Sequence, residues 1–278
     1  MDDAASPRLT GGLADIARHV RGDVVSMSAK GDAAHLGSSL SVVDILVAAY
    51  WGTLRVDPLN PDDPNRDRLI LSKGHAAQAL YATLAARGFV PRAVLDTYNR
   101  DGAALAEHPG PRCMPGVEAA TGSLGHGLPI GLGITLGNRI ARRDARTFVV
   151  LSDGECNEGS VWEAAMMAGG QGVEKLCAIV DFNGWQATDR STEVMAIEPF
   201  AEKWASFGWS VYDVDGHDVE GLAALLAKVP DGSGKPVAII AHTVKGKGVS
   251  FMEDDNNWHY RIPTEDEVRK AHGELGLL

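Results

Sequence analysis

Two polar residues stand where long apolar runs end: Asp153 closes RTFVVLSD and Asn183 closes KLCAIVDFN. The first offers a carboxylate and the second a neutral amide oxygen. A hard divalent cation such as Mg²⁺ takes donors of this kind together with phosphate oxygens and water. Gly154 follows Asp153 and lets the backbone approach a phosphate closely. A helix opening near Glu158 would offer N–H groups at its positive end. Either polar residue alone is equally well explained as a helix N-cap or a turn residue. The pair, ending two strands on one rim, points to a cation site. The acidic residues of SDGECNEGSVWE divide accordingly: Asp153 is the candidate ligand, whereas Glu155 and Glu163 read as a loop residue and a helix face.

The elements that must position these groups follow from apolar periodicity. Strands are expected at 146–153, 175–183, 209–216 and 236–244, and helices at about 40–51, 76–88, 158–170 and 218–228. A glycine-rich entry, TGSLGHGLPIGLG, leads into a further helix ending near 143, while DPLNPDDPNRD and 99–121 read as irregular. Apolar strands alternating with helices imply an α/β fold, a doubly wound, mostly parallel sheet with helices on both faces. Ligands of such sheets bind beyond the carboxyl ends of the strands, here Asp153, Asn183, His217 and the loop TVKGKG.

The composition is that of an ordinary soluble domain: 278 residues, 45% hydrophobic, 23% charged. A net charge of −11 argues against a nucleic-acid surface but does not exclude an anionic cofactor held through a metal and local basic groups. Cys113, Cys156 and Cys177 form no CxxC pair, so a reducing cytoplasm is expected rather than a disulfide framework or a zinc site. MDDAASPRL is no signal peptide, and no apolar run is long enough to span a membrane.

Several segments, LSKGHAAQALYA, GVEAATGSLGHG, SDGECNEG with DFNGW, HTVKGKGVSF and NNWHY, resemble those of transketolases and occur in the same order. The third resembles the thiamine-diphosphate fingerprint, which usually begins GDG and ends in Asn. The resemblance covers about residues 25 to 262 and is greatest to short, split transketolases whose N-terminal half is a separate polypeptide. It implies one diphosphate- and metal-binding domain over 1–278, with the pyrimidine-binding and C-terminal domains outside this chain. It also implies that Asp153, Asn183 and the carbonyl of Trp185 hold Mg²⁺, with Ca²⁺ or Mn²⁺ as substitutes. Gly154, His75, Lys245 and Ser38 would face the diphosphate side of thiamine diphosphate, and Gly122, Ser123 and Leu124 would line its ring. His35, His108 and His259 match histidines facing the reacting carbon and the donor sugar, and His259 also touches the cofactor. Glu158 matches a subunit-interface position.

A lone histidine is most often structural. His19 and His272 are read so, and His217, in DGHD, as no more than a cap of the following helix. Ser152 replaces the first Gly of GDG, a change that extended backbone tolerates. His126 stands where Gln is usual and His242 where Lys is common, so a pocket of altered polarity is expected. GSLGHG lacks a preceding strand and TVKGKGVS lacks Walker spacing, so neither supports nucleotide binding.

The resemblance implies two-carbon ketol transfer from a ketose (phosphate) donor to an aldose acceptor. The carboxylic acid that acts on the pyrimidine lies on a following domain in transketolases, and this chain stops at Leu278. A partner, the C-terminal transketolase subunit with its catalytic Glu, is therefore expected in an α2β2 assembly. The alternatives are an α-type subunit of a 2-oxo acid dehydrogenase or decarboxylase, and a non-catalytic homologue that only binds a partner.

Overall fold

The computed structural model describes residues 8–278, so the reading of MDDAASPRL falls largely outside the described residues. Five strands form one sheet: β1 (Arg68–Leu71), β2 (Thr147–Ser152), β3 (Leu176–Phe182), β4 (Ser210–Asp215) and β5 (Val237–His242). Their order is β1-β2-β3-β5-β4, and every neighbouring pair is parallel. The helices are α1 (Leu13–Gly31), α2 (Leu36–Ser41), α3 (Val43–Gly52), α4 (Ala77–Arg87), α5 (Gly127–Ile140), α6 (Gly159–Gly170), α7 (Ser191–Val194), α8 (Phe200–Ser206), α9 (Val219–Leu226) and α10 (Glu265–Glu274).

Successive strand residues point to opposite faces, and here both faces are buried. Phe148, Val150, Cys177, Ile179, Val237 and Ile239 pack into the core formed with α1, α3, α4 and α9. Val149, Leu151, Ala178, Val180, Ala238 and Ile240 pack into the core formed with α5, α6 and α8. This is the doubly wound arrangement that the near-continuous apolar strands require.

Two elements escape the periodicity reading. β1 carries only Leu69, Ile70 and Leu71 as its apolar run, too short to distinguish from a helical turn, and its pairing with β2 defines it. The α1 helix buries Ile16, Val20, Val24 and Met27 at helical spacing, a signal present in the sequence that a reading centred on strands and motifs leaves aside. No helix among the described residues is long and apolar enough to cross a membrane.

The register sets the rim. Ser152 pairs with Asp181, and Phe182 with His242, so β2, β3 and β5 end at nearly one level. The opposite edge is held by Asp67, fully buried just before β1. Its carboxylate accepts the backbone N–H groups of Arg55 and Arg146 at 2.9 Å each and the Arg146 guanidinium at 2.6 Å. Burial pushes the carboxyl up, but the hydrogen bonds from Arg146 and Arg55 outweigh it and hold Asp67 below the usual carboxylate range. A depressed carboxyl contributes stability above its unfolded value and loses it as pH falls through the folded one. Asp67→Ala leaves two guanidinium groups without their partner and should cost roughly 3–5 kcal/mol in urea unfolding at neutral pH. The deficit should shrink below about pH 4, where the native carboxylate protonates too.

Candidate functional site

A cavity of about 280 Å³ lies beyond the carboxyl ends of the strands. Of the residues singled out in the sequence, His35, Ser38, His75, His108, Gly122, Leu124, Gly154, Asn183, Trp185 and His259 line it. The segments that carry them come from far apart in the chain. Gly74 shows how tightly they pack: a Cβ there would lie 2.2 Å from the Thr121 carbonyl oxygen. The segment after β1 can therefore lie against the glycine-rich entry to α5 only without a side chain at that position.

Three of the four histidines surround the fourth. The His35 ring centroid lies 5.5 Å from His75, 5.4 Å from His108 and 4.9 Å from His259. His35 opens α2 in the left-handed region, φ 66° and ψ 21°, and its N–H donates to the His259 carbonyl at 2.8 Å. Its Nδ1 lies 3.0 Å from Glu107 Oε1. Burial lowers the His35 imidazole, and Glu107 opposes this without cancelling it. His75 falls well below the ordinary range through burial and the nearby Lys73 charge, and His259 falls to about 3 through burial and Lys245. At neutral pH these three rings are uncharged, each with one donor and one acceptor nitrogen.

Behind the lining lie two buried lysines. Lys245 Nζ donates to Asn256 Oδ1 at 2.6 Å and lies 3.1 Å from His259 Nδ1; burial beside Lys73 pushes it down to about 8. Lys73 is paired with Asp181 and donates to the Ser38 carbonyl at 3.0 Å, which fixes that turn of α2 against the rim.

Asp153 is fully buried, with Oδ2 accepting from Gly184 N at 3.1 Å and Ser191 Oγ at 2.6 Å. Its Oδ1 has no partner among the described residues. Burial, with Asp181 nearby, raises this carboxyl to about 6. Asn183 Oδ1 accepts the Trp185 N–H at 3.0 Å, which draws the 183–185 turn back toward the end of β3. The Arg190 guanidinium lies 3.7 Å over the Trp185 ring, whose Nε1 donates to Asp254 at 2.8 Å.

Several expectations are corrected. Ser123 is exposed and does not line the cavity, because the glycine-rich segment turns it outward. The start of α6 is not part of the lining either: a 3-10 turn, Gly154–Asn157, intervenes, and it is Gly154 and Glu155 that face the cavity. Glu155 is no ordinary loop residue. It is fully buried and accepts from Ser72 Oγ, from Gly125 N at 2.9 Å and from Ser152 N at 3.2 Å, joining three rim segments. His126 and His242 leave the pocket's polarity unchanged: both are exposed, His126 capping α5 and His242 lying 2.7 Å from Asp213. His217 does not cap α9, since Asp218 does. Its Nε2 accepts the Val244 N–H at 2.8 Å and its Nδ1 donates to Asp44 at 2.7 Å, and Arg21 backs Asp44 at 2.6 Å. Glu158 is exposed beside Gly125. Lys73, Asp181 and Gln186 also belong to the site or its support, and their signal in the sequence is only adjacency to a motif.

Comparisons with known proteins agree with one another. The family model described as the thiamine diphosphate binding domain of transketolase matches residues 12–278. One of the two subunits of an apulose-4-phosphate transketolase from Phocaeicola vulgatus is 39% identical over 252 residues, covering 91% of this chain and 89% of that protein. A 6-deoxy-6-sulfo-D-fructose transketolase subunit from Clostridium sp. is 40% identical over 241 residues, covering 87% and 88%. Among solved structures, transketolase from Leishmania mexicana superposes with a TM-score of 0.90 at 27% identity, and that from Campylobacter jejuni with 0.88 at 28%. This chain spans about two fifths of those two, 42% of each, and 96% and 95% of this chain is covered.

Two outcomes follow from the geometry. An anion bound beside Lys245 favours its charged form, so inorganic pyrophosphate should be taken up together with protons at pH 8–9 and bind more weakly as pH rises further. Calorimetry in buffers of different ionisation heat measures that uptake, and Lys245→Arg should abolish it. His217→Ala removes the acceptor that holds Val244 and should cost about 1–3 kcal/mol of stability. It should also weaken pyrophosphate binding at least several-fold, whereas a change at the unrelated cap Asp218 should not.

Proposed function

The chain belongs to the transketolase family, and on that premise we propose that it is the thiamine-diphosphate- and divalent-cation-binding subunit of a split transketolase. In this reading it moves a two-carbon ketol unit from a ketose (phosphate) donor to an aldose acceptor. The observation that carries the proposal is a cluster of uncharged histidines over a cavity behind which a buried carboxylate oxygen has no partner among the described residues. A buried oxygen of this kind, beside an amide oxygen and a peptide carbonyl, suits a hard cation such as Mg²⁺. The residues therefore fit the group the family binds.

Thiamine diphosphate, when bound, supplies the nucleophilic carbon that accepts the ketol unit. This chain's residues would do the rest. Asp153, Asn183 and the Trp185 carbonyl would hold the cation, and Lys245 and His75 would meet the diphosphate with charge and N–H groups in a site shielded from water. Gly154 would admit the diphosphate oxygens, Ser38 would lie alongside, and Gly122 and Leu124 would bound the ring. His35, His108 and His259, with nitrogens able to give or accept a proton, would orient the sugar's hydroxyls and move protons at its oxygens.

The remainder of the active site is assigned to a partner, the C-terminal transketolase subunit with its pyrimidine-binding domain and catalytic Glu. Support comes from relatives of matching length that are named as subunits and from full transketolases more than twice as long. Exposed Glu158, with the exposed Met166 and Met167 further along α6, would belong to the interfaces of an α2β2 assembly. The three free cysteines, two of them buried, support a cytoplasmic setting.

The test is reconstitution. The chain with its partner should bind thiamine diphosphate only with a divalent cation and transfer ketol units from a ketose phosphate. Asp153→Ala should abolish the cation-dependent binding, read by tryptophan quenching or calorimetry. Full transfer by the chain alone would overturn the partner assignment, and turnover of 2-oxo acids in place of ketoses would overturn the reaction.

A further inference from the structure

The opposite, amino-terminal rim of the sheet holds a second cavity, of about 330 Å³, between the end of α5 and the turns that lead into β2 and β3. It is lined by Asn138, Arg139, Arg142, Arg143 and Lys175, with Asp144 and Glu174 as its acidic members. The eight residue steps from Ala145 to Asp153 along β2 put it roughly 25 Å from the cation site.

Its charges are unequally satisfied. Arg139 donates to the Gln171 carbonyl at 3.1 Å, and Lys175 lies 2.5 Å from Asp144, which also meets Arg55 at 3.1 Å. Arg142 and Arg143 have no side-chain partner among the described residues. In a chain of net charge −11, two guanidinium groups left free beside each other repel without compensation. The dipole at the end of α5 accounts for Arg139, in its last turn, but not for Arg142, which lies beyond the cap in the left-handed region at φ 55°. Independently, Asn138 is only 5% exposed, lines the same cavity, and its Nδ2 has no hydrogen-bond partner among the described residues. A buried donor left without an acceptor is rare and costly.

Unpaired guanidinium groups and an unsatisfied amide donor are complementary to one ligand chemistry, a tetrahedral oxyanion with several acceptor oxygens. The cavity is far larger than a bare ion needs and falls at the lower end of small-molecule sites. We propose that it is a second binding site, for a small phosphate monoester, with Arg142 and Arg143 on the phosphate and Asn138 satisfied by the ligand. The assignment is independent of the cofactor site and of the reaction catalysed.

The experiment is titration calorimetry of the full chain with glycerol 3-phosphate and, separately, inorganic phosphate at constant ionic strength. Binding at the catalytic rim is removed by working in a Lys245→Met background. Glycerol 3-phosphate should bind at a single site at least as tightly as phosphate, and Arg142→Gln with Arg143→Gln should weaken it tenfold or more. The melting temperature reports whether the fold is intact, and the single Arg143→Gln variant, expected to lose severalfold, repeats the test if the double variant is damaged. Binding lost in Lys245→Met alone, binding of inorganic phosphate without the ester, or a change under twofold in the arginine variants would each overturn the proposal.

Discussion

The buried pairing of Lys73 with Asp181 is the interaction on which the rest of the rim depends. Lys73 follows β1 and Asp181 lies in β3, and both side chains are fully excluded from solvent. Ser41 of α2 and Thr243 after β5 also donate to Asp181, and Lys73 reaches the Ser38 carbonyl. One ion pair thus ties α2 and three strand ends together. Taking two charges out of water is unfavourable, and Coulomb attraction offsets it only where every remaining lone pair and proton is met. That condition is nearly fulfilled here, so segments separated by up to two hundred residues have little freedom to drift apart.

From this clamp the electrostatics of the cavity follow. Lys73 helps push Lys245 and His75 toward their neutral forms, while Asp181 helps push Asp153 toward its protonated form. Empty of ligand, the site carries less charge than its residue types imply. A phosphate with its cation restores the charged forms, so the groups behind the cavity respond to the ligand through their protonation as well as through contact.

Local pattern is what the sequence makes legible. The four long strands, the helices flanking them and the segments around Asp153, Asn183, His75 and Lys245 are readable because apolar period and motif are properties of adjacent residues. Glu155, Asp181 and His217 escape for the opposite reason: their partners, Ser72, Lys73 and Asp44, lie 83, 108 and 173 residues away. His126, His242 and Ser123 show the complementary error. Each has a matching position along the chain, but whether a side chain faces a cavity depends on the turn that carries it, and no spacing rule reports that.

His35 occupies a backbone conformation that disfavours side chains with a Cβ by roughly 1–2 kcal/mol, and glycine or asparagine would sit there more comfortably. Neutral drift would therefore empty this position of its ring. A lineage that keeps the imidazole holds it against a constant local pressure, and the residue at 35 becomes a marker of whether selection on turnover is still acting. A homologue with the same sheet, the same lysine clamp and a glycine at this position would be one that had retained the scaffold after the demand for chemistry had lapsed.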